Sequence, residues 1–169
     1  MNDLPRELRD LLDKQAIRDH LMRYCRGVDR CDADLMKSIF HADGTAFGTN
    51  AWEFCDHFVP TNEADTTFTV HMLGNILVDV DGDVAYSEAY FVTWVGRAED
   101  GTGYIDAFCG RYVDRWERRA GEWGVVTRRT VQEWSRANVA GTEMFPVPAS
   151  EEGTFVTPIR GRDDVSYHG

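Results

Sequence analysis

The segment from Asp65 to Phe91, DTTFTVHMLGNILVDVDGDVAYSEAYF, constrains the fold more than any other part of the chain. Its two halves are rich in β-branched and aromatic residues, and the DGD between them supplies a tight turn in which Gly82 can adopt a positive φ. We therefore predict two long antiparallel strands, Thr67–Val80 and Asp83–Arg97. His71 stands within the otherwise apolar first strand, where it needs a buried hydrogen-bond partner or a role in a site.

More β-rich runs follow this hairpin, and helical periodicity precedes it. Two further long strands are predicted at Tyr104–Arg118 and Trp123–Trp134, with a turn at RAGE between them. Before the hairpin, apolar residues recur with helical spacing over a long first helix and a shorter second helix capped by Asp32. A short strand around Thr45–Phe47, and one or two helical turns in AWEFCDHF that end before Pro60, complete this half of the chain.

Helices that precede a run of long strands predict an α+β fold. Because four long twisted strands cannot lie flat over one helix, the sheet should curve around the first helix and enclose a cavity. Residues 1–137 then form one domain. Residues 138–169, which contain three prolines and show no periodicity, form a C-terminal tail that packs on the surface or on a neighbouring subunit.

Charge and composition limit the classes of partner. The formal net charge of −11 disfavours nucleic acid and anionic membrane surfaces, since both are themselves negative. No run approaches the ~20 apolar residues of a membrane helix, and the charged start MNDLPRELRD lacks the apolar core of a signal peptide. We therefore expect a cytoplasmic protein. Its four cysteines follow no disulfide or metal-finger pattern and are predicted to be buried apolar residues.

Strand parity separates two faces of the predicted sheet but leaves open which face is internal. One choice lines the interior with aromatic rings and a few polar groups, which is typical of small-molecule sites, whereas the other makes the rings plain core. A hydrophobic, aromatic small molecule is the ligand class that the first choice favours. On that choice the candidate ligand-binding residues are Asn75, Glu88, Tyr90, Phe108, Tyr112, Gln132 and Trp134.

Asp29 and His71 form the sharpest candidate pair. Asp29 ends the first helix, where its charge opposes the helix dipole by about 0.3–1 kcal/mol, and Asp32 is better placed to cap the next helix. A carboxylate that contacts an imidazole orients the ring and raises its basicity, so a desolvated pair can act as a general base. The alternative is structural, with Asp29 as a helix cap and His71 in a satisfied core hydrogen bond.

Arg128 and Tyr24 are the next candidates. The sequence TRRT places Arg128 and Arg129 on opposite faces of the last strand, so only one of them can face the interior. An internal arginine could stabilise a leaving anion or an oxyanion, or could simply pair with Glu88 or Asp114. Tyr24, on the first helix, offers a phenol near the same region.

The remaining motifs support no other chemistry. The histidines His20, His41, His57 and His168 show no metal-ligand pattern. No phosphate-binding glycine pattern and no serine-nucleophile motif occurs. Acid–base chemistry without a metal or another cofactor is therefore the prediction.

Three runs of the sequence resemble the SnoaL-like branch of the nuclear transport factor 2-like superfamily, over most of residues 10–134. In chain order they are AIRDHLMRYCRGVDRCDADLMKSIFHADG, VHMLGNILVDVDGDVAYSEAY and GRYVDRWERRAGEWGVVTRRTV. The resemblance implies a cone-shaped, cystatin-like α+β barrel with a curved antiparallel sheet around a long N-terminal helix. It also implies that the aromatic wall faces inward.

Within this superfamily the chain is most similar in function-bearing residues to scytalone dehydratases and hexachlorocyclohexane dehydrochlorinases, which are cofactor-independent lyases built on an Asp–His pair. The resemblance assigns that pair to Asp29 and His71, and assigns the arginine of the dehydrochlorinases to Arg128, five residues after Trp123. A lysine of the dehydrochlorinases corresponds to Tyr24, which favours an oxygen leaving group over chloride. The second histidine of scytalone dehydratases has no counterpart, so scytalone itself is not the expected substrate.

The resemblance implies a lyase in which His71 removes a proton and water, or a fragment such as formaldehyde, is lost from an aromatic substrate. It also implies a homo-oligomer of two or three subunits. The same scaffold serves isomerases, polyketide cyclases, non-catalytic ligand binders and the small subunits of ring-hydroxylating dioxygenases. A binding or assembly module is therefore the alternative, and isomerisation or ring closure is a third option.

Overall fold

The computed structural model describes residues 4–140, 160–163 and 167. Within these residues the chain forms three helices, α1 (Arg6–Arg30), α2 (Ala33–Lys37) and α3 (Ala51–Asp65). It also forms six strands, β1 (Phe40–Ala46), β2 (Thr49–Asn50), β3 (Phe68–Asp81), β4 (Val84–Glu99), β5 (Thr102–Arg119) and β6 (Glu122–Ala140).

The six strands belong to one mixed sheet in the order β2-β1-β6-β5-β4-β3. β3 to β6 are the predicted long antiparallel strands. β1 adds a parallel pairing with β6, for example between Phe40 and Val125, which the sequence pattern did not predict. The long helix α1 packs against β3 and α2. The prediction of an α+β fold with a curved sheet around the first helix is confirmed.

The core forms where α1 meets the sheet. Ile17, Leu21 and Tyr24 recur along one stripe of α1 and share a buried cluster with Trp116 and Val125 of the sheet. Burial of each such side chain contributes about 1.5–3 kcal/mol. The rest of the α1 surface carries charged residues together with the exposed Leu8, Leu11, Leu12 and Met22. Within the described residues no helix has both the length and the apolar character needed to cross a membrane.

The interior face of β4 is the opposite of the predicted one. Glu88 and Tyr90 lie on the outer face, where Arg111 donates to the Glu88 carboxylate at 3.0 Å and lies over the Tyr90 ring. The prediction that these two residues line the interior is wrong, because the small side chains of the other face leave room for α1 and for a cavity. The buried residues of β4 are Ala85, Ser87, Ala89, Phe91, Thr93 and Gly96.

A β-bulge in β3 reverses strand parity beyond His71. The pairing with β4 shifts between Gly74 and Leu77, and Asn75 adopts a φ of 48°. After an extra residue of this kind, alternate side chains change faces. Leu77 is accordingly exposed and Val78 buried. Asn75 itself is exposed, so the prediction that it binds a ligand in the interior is wrong.

A second β-bulge, in the pairing of β5 with β6, changes the face on which Trp134 lies. The pairing of β5 with β6 shifts so that Gly110 is opposite Gln132 but Cys109 is opposite Trp134. Gly110 is needed at this point, because a Cβ there would lie 2.3 Å from the Val131 carbonyl oxygen. Trp134 is 50% exposed and lies outside the interior that it was predicted to line.

Helix α3 runs through Pro60 to Asp65, so the prediction that it ends before Pro60 is wrong. A proline inside a helix costs about 3 kcal/mol, because it removes a hydrogen bond and crowds the preceding turn. Cys55, Val59 and Asn62 are buried on both sides of the proline. The packing of this continuous face offsets the local cost.

The described part of the C-terminal tail packs on the helices. Arg160 donates to the Thr66 carbonyl oxygen at 2.7 Å. Arg162 and Tyr167 both donate to the Asp32 carboxylate, at 3.1 and 3.0 Å. β6 continues to Ala140, past the predicted domain boundary at residue 137. The rest of the predicted tail lies outside the described residues.

Candidate active site

The structure brings Asp29 and His71 together between the last turn of α1 and the middle of β3. Oδ1 of Asp29 lies 2.6 Å from Nδ1 of His71, and Oδ2 accepts a hydrogen bond from the His71 backbone N–H at 3.0 Å. The side chain of His71 is 6% exposed and that of Asp29 14%. One carboxylate therefore fixes both the imidazole ring and the strand that carries it.

This contact sets the tautomer of the ring. A carboxylate oxygen accepts a hydrogen bond, so the neutral imidazole of His71 carries its proton on Nδ1 and its lone pair on Nε2. The ring centroid of Phe91 lies 6.4 Å from that of the imidazole and adds an apolar neighbour. His71 Nε2 is thus the atom that can take a proton from a bound molecule.

Two cavities border His71. The larger has a volume of about 440 Å³, and the smaller, about 330 Å³, includes Asp29 in its wall. The remaining walls of the larger cavity are Tyr24, Val28, Phe47, Phe54, Phe58, Asn62, Thr69, Phe91, Thr93, Val95, Phe108, Tyr112, Thr130 and Gln132. Those of the smaller cavity are Met22, Cys25, Arg26, Arg30 and Leu73.

The predicted ligand-binding residues divide into two groups. Phe108, Tyr112 and Gln132 line the larger cavity. The other four, Asn75, Glu88, Tyr90 and Trp134, line neither cavity, because the facing of β4 and the two bulges place them outside.

Arg128 faces inward, but it is sealed behind the cavity wall. Its Nε and Nη2 donate to both carboxylate oxygens of Asp114, at 2.9 and 2.7 Å, and neither side chain is exposed. The guanidinium lies over the rings of Tyr24 and Tyr112, at 4.2 and 4.3 Å from their centroids. Arg128 borders neither cavity, so the predicted direct contact with a leaving group does not fit this geometry. Arg129 is exposed.

Tyr24 stands between Arg128 and the larger cavity. Burial raises the pKa of the Tyr24 phenol above its ordinary value of 10.0, and the nearby Arg128 opposes that rise only in part. The phenol therefore keeps its proton at neutral pH. Tyr24 lines the larger cavity, and a protonated phenol is a hydrogen-bond donor.

Sequence reasoning missed an aromatic cluster that closes the larger cavity on the side of α3. The ring of Phe54 stacks on Phe47 at 4.4 Å and on Phe58 at 5.3 Å. The spacing of four residues between Phe54 and Phe58 was the available signal, because residues at this spacing lie on one face of a helix. Both residues lie within the helical turns predicted in AWEFCDHF, but their spacing alone does not show which part of the sheet they face.

The cysteines and the other histidines form no reactive cluster in the part of the chain that the structure describes. All four cysteines are free, and burial raises the pKa of the Cys25 thiol to about 12, so that thiol stays neutral. Among the described residues no three His, Cys, Asp or Glu side chains converge in a way that could hold a metal ion. His168 lies outside the described residues.

Comparisons with known proteins agree with this architecture. The sequence profile of the SnoaL-like domain matches residues 9–129. A solved hexachlorocyclohexane dehydrochlorinase of type 2 (LinA) is 19% identical, with a TM-score of 0.67 over 83% of this chain and 97% of that chain. A Novosphingobium aromaticivorans protein provisionally assigned as a scytalone dehydratase is 17% identical, with a TM-score of 0.65 over 79% and 97%.

An NTF2-like superfamily protein from Salmonella enterica is 20% identical, with a TM-score of 0.61 over 70% of this chain and 89% of that chain. No curated protein matches the sequence. At these identities the structural likenesses establish a shared fold, and the activities of those proteins remain their own. The profile, in contrast, covers most of this chain and both members of the Asp29–His71 pair. The chain belongs to the SnoaL-like domain family.

Proposed function

We propose that this protein is a cofactor-independent lyase in which the Asp29–His71 pair carries out acid–base elimination on a hydrophobic, aromatic small molecule. The observation that carries the proposal is the 2.6 Å contact between Asp29 and His71 at the wall of an apolar cavity of about 440 Å³. Small-molecule sites are commonly about 300–1,000 Å³ and mostly apolar, with few polar groups.

Dehydration uses these groups as follows. His71 Nε2 takes a proton from the carbon adjacent to the one that bears a hydroxyl group, and Asp29 stabilises the imidazolium that forms. The C–H electron pair becomes the new carbon–carbon π bond while the C–O bond breaks. The departing oxygen accepts a hydrogen bond from Tyr24, takes a proton from the imidazolium or the phenol, and leaves as water.

Loss of formaldehyde would begin from the same pair. His71 would take the proton of a primary hydroxyl group, the O–H electron pair would form the C=O bond of formaldehyde, and the adjacent C–C bond would break. The C–C electron pair would either stay on the substrate carbon, which then takes a proton from the imidazolium, or form a C=C bond that expels a leaving group from the neighbouring carbon. If the proton is instead returned to another carbon, the result is isomerisation. All of these reactions need one base at His71, so one variant tests them together.

Arg128 supports this chemistry from behind the wall. Its side chain is fully buried and paired with Asp114, and it contacts the face of the Tyr24 ring. Arg128 holds Tyr24 and Tyr112 in position. The Tyr24 phenol is the group that contacts the departing oxygen.

The test is His71→Ala, assayed on a panel of β-hydroxy aryl ketones and 1,2-diaryl-1,3-propanediols. Absorbance of the conjugated alkene and a colorimetric formaldehyde assay report the two products. We expect kcat/KM to fall by about 10²- to 10⁴-fold, which is the usual contribution of a general base. His57→Ala, an exposed histidine of α3, is the matched control. Wild-type turnover in His71→Ala would refute the proposal.

A further inference from the structure

A buried hydroxyl group in the larger cavity wall has no hydrogen-bond partner. Thr93 is 5% exposed, and its Oγ1 is shielded from solvent and bonds to no other protein atom in the described structure. A buried hydroxyl usually finds a partner, because leaving it unpaired forfeits the hydrogen bonds it made with water. A ligand in the cavity is the partner that this position allows.

Thr93 is the direct cross-strand neighbour of His71. The antiparallel register of β3 and β4 pairs these two residues with each other. Directly paired residues point to the same face, with Cβ atoms about 4.5–5.5 Å apart. Both residues line the same cavity. The unpaired hydroxyl therefore lies beside the base of the proposed reaction.

A rotation about χ1 of Thr93 would turn its hydroxyl towards the cavity that this residue lines. In one step between staggered rotamers Oγ1 takes the position that the methyl group now holds, and the methyl group moves to the third position on Cβ. In its present position Oγ1 makes no hydrogen bond, and the rotation therefore breaks none. A ligand oxygen beside His71 would supply the hydrogen bond that the hydroxyl lacks.

We propose that Thr93 is a substrate-binding residue that selects aromatic molecules with an oxygen atom, as hydroxyl or carbonyl, next to the carbon on which His71 acts. This rests on the proposed lyase function and narrows its substrate class. Thr130, the other unpaired hydroxyl of this cavity, lies on β6 opposite Tyr112 and is not paired with β3. The register gives Thr93 alone, of these two, the place beside His71.

The test compares two ligands that differ in one atom group. 2-Acetylnaphthalene carries a carbonyl oxygen, and 2-isopropenylnaphthalene has a CH₂ group in its place. Calorimetric titration of the wild-type protein should give a lower Kd for the ketone, by about 3- to 10-fold, as one neutral hydrogen bond provides. Thr93→Val keeps the side-chain shape and removes the hydroxyl, so it should abolish the preference. Thr93→Ser should retain it.

Thr102→Val makes the same chemical change at an exposed position of β5 and should bind both ligands as the wild type does. Unchanged ketone preference in Thr93→Val would overturn the proposal, as would equal binding of both ligands, or binding of neither, by the wild-type protein. Thermal denaturation verifies that each variant is folded. Titration requires no turnover, so full activity in His71→Ala would refute the lyase while this binding comparison stands or falls separately.

Discussion

Asp29 and Asp114 are two internal carboxylates that each meet a basic side chain, and the difference between them separates a candidate for chemistry from a structural pair. Asp29 contacts His71 at a wall shared by two cavities. Asp114 holds Arg128 through two hydrogen bonds, with neither side chain exposed. Both aspartates meet a basic side chain, but only His71 lies in the wall of a cavity where a ligand could reach it.

This difference shows that burial alone does not identify an active site. The Asp114–Arg128 pair is the more buried of the two, yet it borders neither of the two cavities beside His71. The Asp29–His71 pair combines a titratable ring with space for a substrate. Variants of the Asp114–Arg128 pair should therefore affect mainly stability, and variants of the Asp29–His71 pair mainly reaction rate.

Asp114→Ala should give the largest loss of stability. It leaves the Arg128 guanidinium buried without its counter-ion, which costs about 3–5 kcal/mol in unfolding free energy. Urea unfolding followed by tryptophan fluorescence measures the change. Asp83→Ala, which removes the 77% exposed partner of Arg118, is the control and should cost at most about 1 kcal/mol.

If Asp114→Ala does not accumulate as folded protein, the double variant Asp114→Ala, Arg128→Met should recover folding, since it removes both charges. A cost for Asp114→Ala no larger than that of the exposed control would show that the sealed pair does not stabilise the fold.

Asp29→Asn should affect rate more than stability. The amide keeps the size of the carboxylate but loses the charge that supports the imidazolium, so kcat/KM should fall by roughly 10²-fold. The unfolding free energy should change by less than about 1.5 kcal/mol, the scale of one hydrogen bond. A large stability loss with unchanged kcat/KM would place this pair in the same structural class as Asp114–Arg128.

The tyrosines beside Arg128 should resist ionisation. Burial raises the pKa of both Tyr24 and Tyr112 in the folded state, so the unfolded chain loses these protons first as pH rises. Their stabilising contribution is full below about pH 10 and is lost above it. Ultraviolet titration at alkaline pH should show ionisation of the exposed phenols before unfolding, and Tyr24→Phe should weaken the alkaline loss of stability. Early ionisation of all six tyrosines would contradict the sealed arrangement.

Glu88→Gln should have the smallest effect. Glu88 lies on the outer face of β4 with Arg111, so kcat/KM should stay within about twofold of the wild-type value, well below the effect of removing a general acid or base. Steady-state assays on the same panel test this. A fall in kcat/KM comparable to that of Asp29→Asn would show that Glu88 takes part in the reaction despite its position on the outer face.

The fold was predictable because it depends on local pattern. The DGD turn and the β-rich runs on both sides specify the β3–β4 hairpin, and helical spacing of apolar residues specifies α1. Bulges carry no comparable pattern. The extra residue at Asn75 and the shift before Trp134 reverse faces over part of a strand, so parity counted from one end fails beyond them.

The site was predictable to the extent that side chains reveal their need for a partner. His71 in an apolar strand, and Asp29 at an unfavourable helix end, each indicated that need, and the two meet. The large residues of β4 did not indicate which face of the strand is internal. Its small ones, Ala85 and Ala89, mark the interior, because a helix and a cavity occupy the space that larger side chains would fill.

The two hydrogen bonds from His71 to Asp29 have a consequence for how this chain can evolve by substitution. Only one of these hydrogen bonds requires an imidazole. The other comes from the backbone N–H of residue 71, which every residue except proline has. A substitution of His71 would therefore remove the proposed base while α1 and β3 stay connected, and the cavity would remain available to a ligand. Under the proposed lyase function, a single substitution separates an enzyme from a ligand binder.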